Sequence, residues 1–281
     1  MRSVTEHFIW LAERIAGESA LPCVKALHLP TATTPVGKDA EFAVLELEDG
    51  SCGFSYVWLA DTLAGARRIG AERMSGASVL TWVREYGSAD PARRAIGLAA
   101  FNALSQHLFA RVGWIPDETA DPLGQLNPQP GERIGMVGFF PPLAPLIVAS
   151  GAQLTVLELK PELAGTRDGY RVTLDPAELA GSDKVLSTST VLLNDTLDRV
   201  LVACRDARSV VMVGPTAGCL PDPLFARGVH SVGGARVIDR PAFLDAFHSG
   251  QPWGRYTRKY MIRRQDYPGV EGLLERLPNN R

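Results

Sequence analysis

Cysteine is scarce in this chain: four residues in 281, at positions 23, 52, 204 and 219, none three positions from another. That leaves no CxxC pair for a structural zinc site or a disulfide redox couple, and predicts reduced thiols in a cytoplasmic protein. An excess of charge is also missing. With 29 basic and 31 acidic residues and a net charge of -2, there is no global positive field to recruit nucleic acid or an anionic membrane surface. The longest apolar run, residues 139–149, contains three prolines and falls short of the roughly 18 residues that a membrane span needs. The first 20 residues place Glu6, Glu13, Arg14 and Glu18 within an apolar pattern, which predicts an amphipathic helix rather than a secretory signal. No Gly-x-Ser-x-Gly elbow, His-Glu-x-x-His helix or Gly-Lys-Ser phosphate loop occurs, so no motif of these kinds assigns a reaction.

What is present divides in two. Residues 114–131 carry four prolines and two glycines without apolar periodicity, as an interdomain connection would. The expected organisation is residues 1–113 as one domain, 114–131 as linker, 132–250 as a second domain and 251–281 as a C-terminal tail. In the first half a helix is predicted over 4–16 and an extended stretch over 23–29. A hairpin joins 42–47 to 53–58 across Asp49-Gly50, a strong turn dipeptide. Helices follow at 61–71, 78–86 and 91–111, the last opened by Asp90 as cap and Pro91 in the first turn. This is an α+β meander covered by helices. Asn102, within the apolar stretch 96–104, is either a satisfied core residue or a residue of the domain interface.

The second half alternates strands and helices. Strand cores at 134–137, 154–157, 184–186, 210–213 and 236–238 are separated by helical stretches near 142–150, 176–179, 196–205 and 223–228. Such alternation implies right-handed crossovers and a parallel sheet covered on both faces, hence a Rossmann-like domain in an α/β protein. Ligands of open parallel sheets sit beyond the carboxyl ends of the strands. Residues expected there are Gly135, Gly138, Phe139 and Phe140 around the first turn, and Glu158 after the second strand. Ser187, Thr188, Ser189, Thr190, Asn194 and Asp195 follow the third, and Gly214, Pro215 and Thr216 the fourth. Glu158 stands about 20 residues after the first turn, where a dinucleotide fold keeps the acid that accepts from ribose hydroxyls. A charged residue at a strand end is the other reading. Phe139, Phe140, Pro141 and Pro142 replace the third glycine and the free N–H groups that a pyrophosphate needs. The turn therefore suits a nucleoside-like or amino-acid-like molecule, S-adenosylmethionine among them.

Several of these segments together resemble a known family. Gly97-Leu-Ala-Ala-Phe-Asn-Ala-Leu104, Gly135-Met-Val-Gly-Phe-Phe-Pro-Pro142, Leu157-Glu-Leu-Lys-Pro161, residues 187–197, Val213-Gly-Pro-Thr216 and Leu220-Pro-Asp-Pro-Leu-Phe225 are similar to a bacterial and archaeal family named for heavy-metal chelation. The similarity runs from about residue 16 to 248. It implies an enolase N-terminal-like domain followed by a Rossmann-like domain, a site in the cleft between them and a part in metal handling. The family's third-strand loop usually carries Thr-Gly-Ser/Thr-Thr and then Asn-Gly-Thr. Here Thr188 and Asp195 stand at the two glycine positions, which implies a tighter and more acidic pocket.

The soft donors that the pattern places near the rim are Cys219 and, downstream, His230. They are either ligands of a soft divalent ion or a small buried cysteine and a surface histidine. The segment 253–264 combines five basic residues with aromatics, reading as a solvated face or as a clasp onto the other domain or onto a second subunit of a homodimer. The expected function is thus binding of a small molecule or metal between the domains. The alternative is an enzyme using S-adenosylmethionine or another adenosine compound whose ribose Glu158 holds.

Overall fold

In the computed structural model the described residues are 2–31, 41–69, 74–118 and 121–278. Helix α1 (Val4–Glu18) opens with a capping box, the Ser3 hydroxyl and Glu6 carboxylate each accepting the other's backbone N–H, and turns Phe8, Leu11, Ala12 and Ile15 inward. Three antiparallel strands follow, β1 (Val24–His28), β2 (Phe42–Leu47) and β3 (Cys52–Tyr56), side by side in that order. The expected hairpin forms, with Phe42 opposite Tyr56 and Glu46 opposite Cys52, turning at Gly50 with φ +90°. Helices α2 (Thr62–Ile69), α3 (Val79–Arg84) and α4 (Pro91–Arg111) complete the layer. The expected helix over 61–71 is present as α2 from Thr62 to Ile69, and positions 70 and 71 lie outside the described residues. Asp90 caps α4 by accepting from Ala92 N and Arg93 N, with Pro91 in the first turn. Gly53 lets α4 lie against the hairpin: a Cβ there would sit 2.1 Å from the Ala99 carbonyl oxygen and 2.2 Å from Ala103 N.

The second layer is an eight-stranded sheet. Its strands are β4 (Arg133–Val137), β5 (Gln153–Leu157), β6 (Gly165–Arg167), β7 (Tyr170–Thr173), β8 (Lys184–Thr188), β9 (Ser209–Val213), β10 (Ser231–Val237) and β11 (Thr257–Arg263). Their order is β11-β10-β9-β8-β4-β5-β7-β6, parallel except for the two outer pairs. Numbering the six parallel strands in chain order gives 3-2-1-4-5-6 across the sheet, the Rossmann order. Helices α5 (Pro122–Leu126), α6 (Ala144–Ala149), α7 (Leu197–Ala203), α8 (Asp222–Phe225), α9 (Arg240–His248) and α10 (Gly269–Leu274) accompany it. None of the described helices is long and apolar enough to cross a membrane.

Two expectations are corrected by pairing. The segment 253–264 is not a tail: β11 pairs with β10 from Ser231 opposite Arg263 to Val237 opposite Thr257. Tyr260, Met261 and Ile262 are buried, so their apolar area overrides the basic residues around them. The connection 114–131 is packed rather than free. Asp117 bridges to Met261 and Leu126 is 1% exposed, although 119–120 lie outside the described residues. Strand β7, which the sequence pattern did not single out, supplies the third parallel strand beside β5.

One hydrophobic core spans both layers, from Phe8, Leu45, Ile96 and Phe101 to Val137, Val185, Met212 and Tyr260. The opposite face of the large sheet packs on α5 and α6 residues such as Leu126 and Ile147. Helix α9 covers the outer face of the hairpin, where Phe54 meets Phe243 and Trp253.

Candidate functional site at the sheet's carboxyl edge

The strand order reverses between β4 and β8, and in open parallel sheets that is where a crevice forms. Gly138 sits at this point with φ +76°, a conformation that favours glycine. A Cβ on Gly138 would lie 2.8 Å from Thr188 Cγ2, so the loop after β8 rests against the loop after β4.

Glu158 organises the neighbouring turn. Its half-buried carboxylate accepts from Phe139 N at 2.8 Å through Oε1 and from Leu159 N at 2.8 Å through Oε2. An ionised carboxylate has about four acceptor positions, so two stay open. Phe139 stacks on Tyr170 with ring centroids 6.0 Å apart. Across from them stands Tyr56, at the end of β3. Burial pushes its phenol up from the ordinary value, and the nearby carboxylates of Glu41 and Glu158 push in the same direction.

The first domain holds the other two loops. On one face of α4, Asn102 Nδ2 donates to Phe54 O at 2.7 Å and to Thr216 O at 2.8 Å. The Thr216 hydroxyl accepts from Tyr56 N at 3.0 Å, Ser105 Oγ accepts from Leu220 N at 3.0 Å, and Gln106 Nε2 donates to Gly218 O at 3.0 Å. Tyr86 donates its hydroxyl to Leu192 O at 2.6 Å, and Arg94 forms an ion pair with Asp195. Asn102 is therefore both a buried polar residue and an interface residue. Its Oδ1 has no hydrogen-bond partner.

The expected site residues separate into three groups. Gly138, Phe139, Phe140, Glu158, Thr188, Thr190, Asn194, Asp195, Gly214 and Pro215 keep solvent exposure along the rim. Ser187, Ser189 and Thr216 are buried beneath it, and Thr216 is consumed by the domain contact. Gly135 does not belong to the turn. It lies inside β4, where a Cβ would meet Ser182 and Leu179, so its small size serves sheet packing. Asp195, standing where the resembled family has glycine, adopts φ +56°, the left-handed conformation for which glycine is suited. Asn194 Oδ1 accepts from Thr196 N and Thr196 Oγ1 in a local turn before α7. Tyr56 and Arg94 were not among the expected residues. Their positions depend on domain packing, and neither stands in a motif.

The two soft donors are occupied otherwise. Cys219 is fully buried in the shared core, and burial pushes its thiol up to about 12, so it carries a proton at neutral pH. His230 Nδ1 accepts from Val210 N at 3.0 Å, and burial lowers the ring's basicity. Among the described residues no group of three or more His, Cys, Asp or Glu side chains is arranged to hold a metal ion.

A model of the DUF364 family, described as "Putative heavy-metal chelation", matches residues 121–265, more than half of the chain. The chain belongs to this family. A companion family model with the same description, DUF4213, matches residues 36–105. An uncharacterized protein of Methanocaldococcus jannaschii is 34% identical over 156 residues, 54% of this chain and 58% of that protein, so the match spans little more than half of that relative. Crystal structures of two family proteins of unknown function share the fold. The one from Desulfitobacterium hafniense covers 92% of this chain and 99% of its own, at 19% identity and a TM-score of 0.68. The one from Pyrococcus horikoshii covers 92% and 98%, at 19% identity and a TM-score of 0.63.

Proposed function

We propose that this family member is a small-ligand binding protein whose ligand enters between the Tyr56 end of the hairpin and the crevice at Gly138 and Glu158. The observation that carries this reading is the reversal of strand order beside a glycine turn, with a half-buried carboxylate on its flank. The groups on offer are oxygen acceptors, hydroxyls and backbone N–H, with aromatic faces at Phe139 and Tyr56. This set suits a polyhydroxylated organic molecule. The family description supports a role in metal handling, which such a ligand serves by bearing the metal or by accompanying it.

A second reading, an adenosine-containing molecule such as S-adenosylmethionine, is favoured by one feature. Glu158 is fixed by two backbone N–H groups while retaining acceptor capacity for a vicinal diol, and Phe140-Pro141-Pro142 leaves few donors for a pyrophosphate. Calorimetric titration of S-adenosylmethionine and its 2'-deoxy analogue into the wild type and Glu158→Gln tests it. The wild type is expected to prefer the diol. Each charge-assisted bond exchanged for a neutral one loses about 1 kcal/mol, so the variant should lose most of that preference. Equal discrimination by both proteins, or binding by neither, refutes the diol role.

A further inference from the structure

On the far side of the hairpin from the crevice, two histidines 220 positions apart in the chain meet nitrogen to nitrogen. His28 Nδ1 lies 3.0 Å from His248 Nε2, and the ring centroids are 5.0 Å apart at an interplanar angle of 48°. Since each ring nitrogen stands about 1 Å from its centroid, these distances describe rings meeting edge to edge rather than stacking. The other nitrogen of His28 is also engaged: Nε2 lies 3.0 Å from Glu46 Oε2. Glu46 accepts only, so His28 Nε2 carries the proton and Nδ1 presents its lone pair toward His248.

We propose that His28 Nδ1 and His248 Nε2 form a two-imidazole site for a borderline divalent cation such as Zn2+, Ni2+, Co2+ or Cu2+, with Glu46 orienting His28 from behind. A carboxylate that accepts from the rear N–H of an imidazole ligand fixes its tautomer and raises its donor strength. The metal takes the place of the proton that joins the two rings: that proton passes to His248 Nδ1, and both facing lone pairs then bind the ion. At metal-to-nitrogen distances of about 2.0–2.1 Å, two imidazoles in tetrahedral or right-angled positions hold their nitrogens roughly 2.9–3.4 Å apart. The observed separation falls within that interval, so the two nitrogens keep their spacing while each ring turns to aim its lone pair at the ion.

The surrounding charges define which ion is taken. Glu46 is nearly excluded from solvent, and its Oε1 is held by Lys25 Nζ at 3.0 Å and Arg240 Nη1 at 2.8 Å. Those two cations keep the carboxylate from becoming a ligand itself and leave no anionic oxygen cage, which disfavours Mg2+ and Ca2+. Imidazole nitrogen selects the later transition ions and zinc. With two protein donors and the remaining positions open to water, binding is exchangeable rather than permanent. The ion also ties β1 of the first domain to α9, which follows the last parallel strand.

The experiment uses the full chain without a histidine tag, titrated with ZnCl2 and NiCl2 by calorimetry. The wild type, His248→Ala, His230→Ala and Cys219→Ser are compared. His248 is exposed at the end of α9, so its replacement leaves the fold intact. One equivalent is expected in the wild type, with at least tenfold weaker binding in His248→Ala and unchanged binding in the other two. Unchanged affinity in His248→Ala, no wild-type binding below 1 mM metal, or loss of binding in Cys219→Ser would each overturn the site. As a second readout, Zn2+ should shift the ring resonances of His28 and His248 in the wild type and leave that of His28 unmoved in His248→Ala. Shifts confined to His7 or His230 would refute the assignment.

Discussion

Replacing Asn102 by leucine tests how the two domains are joined. The side chain is fully buried, and its amide serves two carbonyls, Phe54 O on the open edge of β3 and Thr216 O on the loop after β9. Leucine has a similar volume and no donor, so both carbonyls would be left in the core without a partner. Each such loss costs about 1–3 kcal/mol. Removing Oδ1, which has no partner in the wild type, returns about 1 kcal/mol. The expected net loss is thus about 1–5 kcal/mol, a large fraction of the roughly 5–15 kcal/mol that stabilises a folded protein. Urea unfolding followed by tryptophan fluorescence and by far-ultraviolet circular dichroism measures it. Thr216→Val, which strands only Tyr56 N, should lose about 1–2 kcal/mol. Because both variants open the same edge of β3, the double variant should lose less than the sum. A loss below about 1 kcal/mol for Asn102→Leu, or strict additivity with Thr216→Val, would refute this account of the interface.

Two further outcomes follow from the geometry. Thr188→Gly removes the side chain that rests on Gly138. It should strengthen binding of a nucleoside-sized ligand by several-fold while lowering Tm by about 2–4 °C, since the Thr188 hydroxyl also accepts from Thr190 N; weaker binding in thermal-shift titration would contradict the crevice. In acid, His28 has a folded value below its ordinary 6.5, chiefly through burial, so the unfolded chain takes up the proton first and stability should fall as pH drops through about 6.5. Glu46 adds a second loss below about 4.5: burial raises it, but its bonds from Lys25 and His28 outweigh that and hold it low. Denaturation midpoints between pH 8 and 4 check both limbs, and a His28→Gln variant should flatten the upper one.

The sequence by itself determined the elements whose signals are local. Asp90-Pro91 set the start of α4, Asp49-Gly50 set the hairpin, and the apolar runs of β4, β5 and β9 marked a parallel sheet. The residues of the carboxyl edge were also legible, because strand ends fix which loops share one side of the sheet. Tertiary structure alone decided the rest. Strand β11 was hidden because five basic residues masked a short buried centre that gains its value only by pairing with β10. Gly135 read as a turn residue because spacing cannot tell a glycine needed for conformation from one needed for packing. The meeting of His28 with His248 left no trace in the chain, since 220 residues separate them and only the seating of α9 on the hairpin brings their nitrogens together. Cys219 shows the same limit in reverse. Its position after β9 suggested a ligand, whereas burial in a core shared by both domains made it an uncharged packing group.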